Sequence, residues 1–481
     1  MSSVKEDTIK SVKWTAIEKF SVQGIQFLLG LIMARLLTPE DYGTVGMLSI
    51  FIAISSTFID SGFGNALIRK IDHTEADYCT VFYFNIVIAI VCYSILFVAA
   101  PWIADFFHIE ILCPILRVQS ISLVLNSLMG VQVARLTIDL DFKALAKRNV
   151  MASLLSGVIG IVLAYIGWGV WALVAQTIIS TTISLVFIWV YCRWVPRQGF
   201  SRQSFNYLWN YGSKLMASGL LHTVYTNLTT LIIGRYFSSR DLGVYSRGTN
   251  LASYPVNITN DVLGKVTFPI LAKIQNDEGH LVSVYRKYIC VTSLVIFFCC
   301  LLMAAIAKPL VLLLLTAKWT ECIIYLQIFC FAIMFDHVCR INLNLLEVKG
   351  RSDLFLRLEI IKKTISVLIL FASIPFGVIG ICVSKVIYTQ IAVFINTYYT
   401  GKLFNLGYLT QLRDFSGYLF KSLIACVPAY FLTFLPLNNI FALVLGCLSS
   451  VLLYYWMLRK DVYMIELLGI VSGKLKIKKL R

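Results

Sequence analysis

Lys19, Gln23, Gln26 and Gly30 recur at i, i+4, i+7 and i+11 within an otherwise apolar stretch, with Glu18 beside them. A second stripe at helical spacing runs through Lys214, Ser218, His222, Tyr225 and Thr229, and a third through Arg247, Asn250, Tyr254, Asn257, Asp261 and Lys265. Asp60, Arg117, Asp336, His337, Arg340, Asn344 and Lys385 interrupt further apolar stretches. At bilayer depth an ionised side chain costs roughly 2.5 to 3.5 kcal/mol unless protein or water receives it. Any one of these groups is accounted for equally well by an ion pair across a helix interface. Together they are not, because cations outnumber carboxylates. The surplus points to a hydrated cavity that attracts an anion. The candidates for anion contact are Lys19, Arg117, Lys214, His222, Arg247, Lys265, Arg340 and Lys385, of which Lys19, Lys214, Arg247 and Arg340 are best placed by depth and stripe. Glu18, Asp60, Asp261 and Asp336 are of the type that holds a coupling Na⁺ or proton, and the sequence does not rank them. Histidine titrates near neutral pH, so His222 suits proton transfer, although a hydrogen-bonded packing role accounts for it better. Arg357, Lys362 and Lys363 stand near helix ends and are expected to snorkel outward.

The elements that carry these stripes are membrane helices. Of 481 residues, 58% are hydrophobic and 14% charged, against about 25% charged in soluble domains. Apolar stretches long enough to cross a ~30 Å hydrocarbon core recur along the whole length, which predicts an all-α integral membrane protein of about fourteen helices. Lys and Arg alternate between connectors. One set holds Arg69 and Lys70, Arg135 to Arg148, Arg193 to Arg202, Lys349 and Arg351, and the run KLKIKKLR. The opposite set is nearly free of them, with Arg240, Lys308 and Lys318 as exceptions. The positive-inside rule therefore puts both termini in the cytoplasm. A net charge of +17 spread over loops beside membrane helices suits anionic lipid headgroups and not nucleic acid.

The stretch RLLTPEDYG contains Arg35, Asp41 and Gly43, and these recur 200 positions later as Arg235, Asp241 and Gly243 in RYFSSRDLG. Pro101 and Pro309, Gln119 and Gln327, and Gly169-Val170 and Gly377-Val378 match at a spacing of 208. This order predicts a parallel repeat about an axis along the membrane normal. The domains follow: an N-lobe at 1–193 with helices 1–6, a polar linker at 194–206, a C-lobe at 207–403 with helices 7–12, and helices 13–14 with a basic tail at 404–481. Within RLLTPEDYG, Thr38 and Pro39 end one helix and start the next, a tight outer hairpin with a structural job.

Several chemistries are absent from the sequence. There is no GxxxxGK[ST] phosphate loop, no HExxH, and no CxxC among the 13 cysteines, which read as small buried residues. The glycines of DSGFGN and IGWGVW lie at the ends of membrane helices and serve packing or hinging. A membrane polymerase or ligase would need catalytic residues outside the bilayer, yet the outer connectors are short and almost uncharged. The expectation is no enzyme, no metal, and no cofactor beyond a coupling ion.

The stretch ARLLTPEDYGTVGM followed by FIDSGFGNALIRK resembles the opening of the polysaccharide transporter family, the Wzx-type O-antigen and lipid-linked oligosaccharide flippases of the multidrug, oligosaccharidyl-lipid and polysaccharide exporter superfamily. The resemblance implies two six-helix lobes around a central cavity, plus two helices, in the bacterial inner membrane. It implies movement of an undecaprenyl-diphosphate-linked oligosaccharide, for O-antigen, capsule or exopolysaccharide, to the periplasmic leaflet by alternating access. A polysaccharide polymerase and glycosyltransferases would be working partners. The rival within transport is a cation-coupled exporter of small molecules. Export of cationic drugs favours an acidic or aromatic cavity, so the excess of Lys and Arg argues against it. A scaffold without transport activity would gain nothing from buried charges.

Overall fold

The computed structural model describes Trp14 and residues 21–471, without the side chains of residues 258–266, 268, 269, 470 and 471. Glu18 and Lys19 lie outside the described residues, and of Asp261 and Lys265 only the backbone, in a helix, is described. Every regular element among the described residues is helical. Ten runs are long and apolar enough to cross a membrane, so the chain is a multi-pass membrane protein. One of them, Ser352–Phe404, holds two long helices joined at a 3-10 turn over Ile374–Phe376.

The first compact unit ends at Gly243. It contains α1 (Ser21–Leu36), α2 (Pro39–Asp60), α3 (Phe63–Arg69), α4 (Glu75–Phe107), α5 (Leu112–Gln119), α6 (Ile121–Ser127), α7 (Gly130–Ile138), α8 (Phe142–Tyr165), α9 (Val170–Cys192), α10 (Arg202–Tyr236) and the first turn of α11 (Ser239–Lys273). By contacts the chain divides one helix later than the 194–206 connector, because α10 packs along α2. Thr57 Oγ1 lies 3.0 Å from Thr223 Oγ1, and Gly212 sits against Ser61 O and the Phe63 ring. The connector is itself packed on this unit. Trp194 is buried and donates its Nε1–H to Glu75 Oε1 at 2.8 Å, and the Ser201 amide donates to Thr80 Oγ1 at 3.0 Å. A cluster of Phe63, Leu67, Phe82, Val131, Trp194 and Leu208 joins α3, α4, α7, α10 and the connector.

The two copies of the repeated hairpin motif meet inside this unit. Thr38 caps α2: its Oγ1 accepts from the Asp41 amide at 3.3 Å, while Asp41 Oδ2 accepts from the Thr38 amide at 2.9 Å. Ser238 and Asp241 repeat the reciprocal bonds at 3.0 and 3.1 Å. The glycines have another reason. A Cβ on Gly43 would stand 1.7 Å from Ser239 O, and one on Gly243 would stand 1.9 Å from Pro39 O. Each copy's glycine thus admits the other copy's backbone, and Arg240 Nη1 reaches Glu40 Oε1 at 2.9 Å across the same junction.

At the other end of α2 the chain breaks. Ser61 (φ 41°) and Gly62 (φ 69°) are both left-handed, and α3 starts immediately after. A side chain at Gly62 would also collide with Gly212 O, 2.8 Å from the added Cβ. The DSGFGN glycines include this packing position, and the break sets Asp60 at the mouth of a cavity.

The second unit starts at Val244 and comprises the rest of α11, α12 (Glu278–Ala305), α13 (Ala307–Leu314), α14 (Cys322–Ile333), α15 (Asp336–Val348), α16 (Ser352–Ser373), α17 (Gly377–Phe404), α18 (Tyr408–Leu432), α19 (Asn439–Leu458) and α20 (Val462–Val471). Polar bonds join its helices in the buried interior. Asn342 and Gln411, both fully buried, exchange amide bonds at 2.9 and 3.0 Å, and Thr400 donates to Asn342 Oδ1 at 2.8 Å. Tyr454 donates to Leu294 O at 2.7 Å. All the cysteines are free thiols.

Candidate anion-binding site

α3, about two turns long, ends with Arg69 and its C-cap Lys70, and α10 passes behind it with Tyr207, Tyr211 and Lys214 one helical turn apart on one face. Together they line a recess of about 330 Å³. The Arg69 guanidinium lies 4.5 Å from the Tyr211 ring centroid, and Lys70 Nζ lies 5.2 Å from that of Tyr207. Lys70 also pairs with the buried Asp77 at 2.6 Å. Three cations therefore share one carboxylate. Arg69 has only its ring contact, and Lys214 is exposed with no hydrogen bond or ion pair among the described residues. Such an arrangement can hold a multiply charged oxyanion, with Arg69 supplying a planar fork and the lysines point charges. His222 is exposed two turns further along α10, about 12 Å away along the axis.

Asp60 lies in a different recess, a cavity of about 450 Å³ lined from α2, α3, α4, α6, α7 and α8, with Asn65, Asn85, Asn126 and Arg148 among its walls. Arg117 is half-buried and settled elsewhere in the unit. Its Nε donates to Phe97 O at 3.2 Å and its guanidinium lies 4.4 Å from the Phe97 ring centroid.

In the second unit Asp336 lies where the charges of Lys385 and Lys362 act on it. Lys385 is also 4.9 Å from the Tyr388 ring centroid. Lys362 departs from the snorkelling expectation: it is buried, 6% exposed, and pairs with Glu359 one turn before it. Burial in helix packing, with a carboxylate supplied by the same helix, replaces the excursion to the surface. Arg247 is half-buried with its guanidinium 5.9 Å from the ring centroid of the fully buried Trp319. Arg340 is exposed with no partner among the described residues. His337 is fully buried, its Nε2 2.8 Å from Ser293 Oγ.

Of the residues singled out by sequence, the structure brings Lys214 together with Arg69 and Lys70, and Asp336 with Lys385. Arg69 and Lys70 read in the sequence only as markers of orientation. What turns them toward Lys214 is the left-handed break at Ser61-Gly62. Tyr211 and Tyr207, three and seven residues before Lys214, extend its stripe backwards at helical spacing, and that signal stands in the sequence.

The chain is thus a multi-pass helical membrane protein with cationic and polar recesses cut into its first unit. The fold matches that of a solved structure of lipid II flippase MurJ, inward closed conformation, with TM-score 0.69 and 14% identity over 92% of this chain and 98% of that one. It also matches an inward-facing multidrug resistance MATE family transporter of the MOP superfamily, with TM-score 0.61 and 16% identity over 82% and 95%. Residues 32–324 match the family described as polysaccharide biosynthesis protein, and the chain belongs to that family. It is 23% identical to the teichuronic acid biosynthesis protein TuaB of Bacillus subtilis (strain 168), over 74% of each chain. It is 24% identical to the lipopolysaccharide biosynthesis protein WzxC of Escherichia coli (strain K12), over 79% of this chain and 76% of that one. The family is one of polysaccharide biosynthesis proteins, and the fold is the one these solved MurJ and MATE structures share.

Proposed function

We propose that the chain is a flippase of the bacterial inner membrane that carries an undecaprenyl-diphosphate-linked oligosaccharide from the cytoplasmic to the periplasmic leaflet by alternating access. The observation that carries this reading is the recess lined by Arg69, Lys70 and Lys214, three cations of which Lys70 alone pairs with a carboxylate, that of Asp77. A diphosphate matches that charge, and the polyprenyl tail can stay in the bilayer while the headgroup enters. Fourteen spans are reached by counting the two helices of Ser352–Phe404 separately and adding α1 and the long polar helices α10 and α11. Under this reading the lobes at 1–193 and 207–403 rock against each other, and both termini face the cytoplasm. Asp60 and Asp336 are the coupling candidates for Na⁺ or a proton, with Glu18 and Asp261. Glycosyltransferases that build the saccharide and a polymerase that extends it are the expected partners.

Lys214→Ala is expected to lower surface polysaccharide at least tenfold in a complemented deletion strain, with the protein still in the membrane, and Lys214→Glu to lower it further by repelling the diphosphate. Normal polysaccharide from both variants removes the recess as the headgroup site. A cation-coupled drug exporter would instead show changed drug tolerance and unchanged polysaccharide.

A further inference from the structure

The 450 Å³ cavity beside Asp60 is of ligand size and is not a basic one. Its walls carry three amides, Asn65, Asn85 and Asn126, one carboxylate, Asp60, and one guanidinium, Arg148. Asn85 is 5% exposed and its Oδ1 has no hydrogen-bond partner. A buried amide oxygen without a donor is rare in folded proteins and calls for one from outside the chain. The side chains of Asp60, Asn65 and Asn126 make no hydrogen bond among the described residues either, so these three lining side chains are uncommitted.

The composition of the walls selects the ligand. A divalent cation is held by oxygen ligands whose carboxylates offset its charge, whereas here the single carboxylate is balanced by a guanidinium in the same lining, which leaves no net negative charge for one. Flat cationic drugs favour aromatic faces, and no aromatic residue lines the cavity. Amides and a carboxylate offer donor and acceptor pairs, which suit adjacent hydroxyl groups that both donate and accept. Ile59, Leu67 and Leu123 supply apolar wall for the C–H face of a sugar ring. The two recesses are also neighbours. Ala66 of α3 lines the cationic one, and Leu67 and Ile68 of the same short helix line the amide one.

We infer that the amide cavity is a saccharide subsite, taking the hydroxyl-bearing rings next to the phosphate while the cationic recess takes the phosphate itself. This rests on the flippase reading for the identity of the ligand. The full-length protein in detergent is titrated with two probes: the lipid-free repeat saccharide released by mild acid from the host's surface polysaccharide, and sugar-free polyprenyl diphosphate. Asn85→Leu, and separately Asn126→Ala on an exposed wall where loss of the amide leaves the core intact, are expected to weaken the saccharide at least tenfold and to leave the polyprenyl diphosphate unchanged. Lys214→Ala is expected to do the reverse. Wild-type protein that does not bind the saccharide, or binding unchanged in both asparagine variants, overturns the subsite. Saccharide binding that depends on Asn126, with no binding of polyprenyl diphosphate by wild-type protein, upholds the subsite and sinks the diphosphate reading alone.

Discussion

At the scale of single residues, polar groups inside this bundle divide into committed and uncommitted. Asn342, Thr400 and Gln411 are committed: each amide group has a partner in the dry interior. Removing one partner strands the other, at about 1 to 3 kcal/mol for the orphaned group, whereas interhelical bonds in membranes are worth on average ~0.6 kcal/mol as pairs. Asn342→Leu should therefore lower the detergent melting temperature more than the double variant Asn342→Leu/Gln411→Leu does, as thermal aggregation would record. Equal or additive losses would show that the pair is not coupled. Lys214, Arg340 and the cavity asparagines are the uncommitted kind. Sequence shows that such residues are present but not which kind they are, because commitment depends on contacts between helices tens of residues apart. Arg117 and Arg247 illustrate this. Both read as cavity cations, and each guanidinium lies near a ring, 4.4 Å from the centroid of Phe97 and 5.9 Å from that of Trp319.

Elements were more legible than sites. Apolar stretches and their connectors predict most helix boundaries closely, since the bilayer imposes length and hydropathy together. Helix interruptions were not legible. The apolar stretch that carries Arg117 is three short pieces, α5, α6 and α7. Within the span that opens with α2, Ser61-Gly62 divides one apolar run in two. The repeated hairpin was legible as a repeat and as a cap, but its glycines explain themselves only in three dimensions. Gly43→Ala and Gly243→Ala each place a methyl where backbone already stands, and since both contacts belong to backbone neither can yield cheaply. Each substitution should reduce the yield of folded protein in size-exclusion chromatography far more than Gly24→Ala, where nothing lies within 4 Å. Comparable yields from all three would mean that the hairpins do not seat on one another.

At the scale of the whole molecule, the proposed topology makes a direct prediction. A fluorescent protein fused after Arg481 should fluoresce in the cytoplasm, whereas a periplasm-active phosphatase fused there should be silent and become active when fused after Ile166. The opposite pattern would mean that the Lys and Arg alternation misleads for this chain. The chain's charge asymmetry was readable from the outset because insertion machinery reads it the same way, one loop at a time.

The reciprocal seating of Gly43 on Ser239 and Gly243 on Pro39 also bears on which changes this corner can accept. Two hairpins 200 positions apart would ordinarily be free to vary independently, yet here each is part of the other's mould. A bulkier residue accepted in one has to be matched by retreat of the opposite main chain, so the two hairpins should change together or not at all while the ligand-facing helices around them specialise.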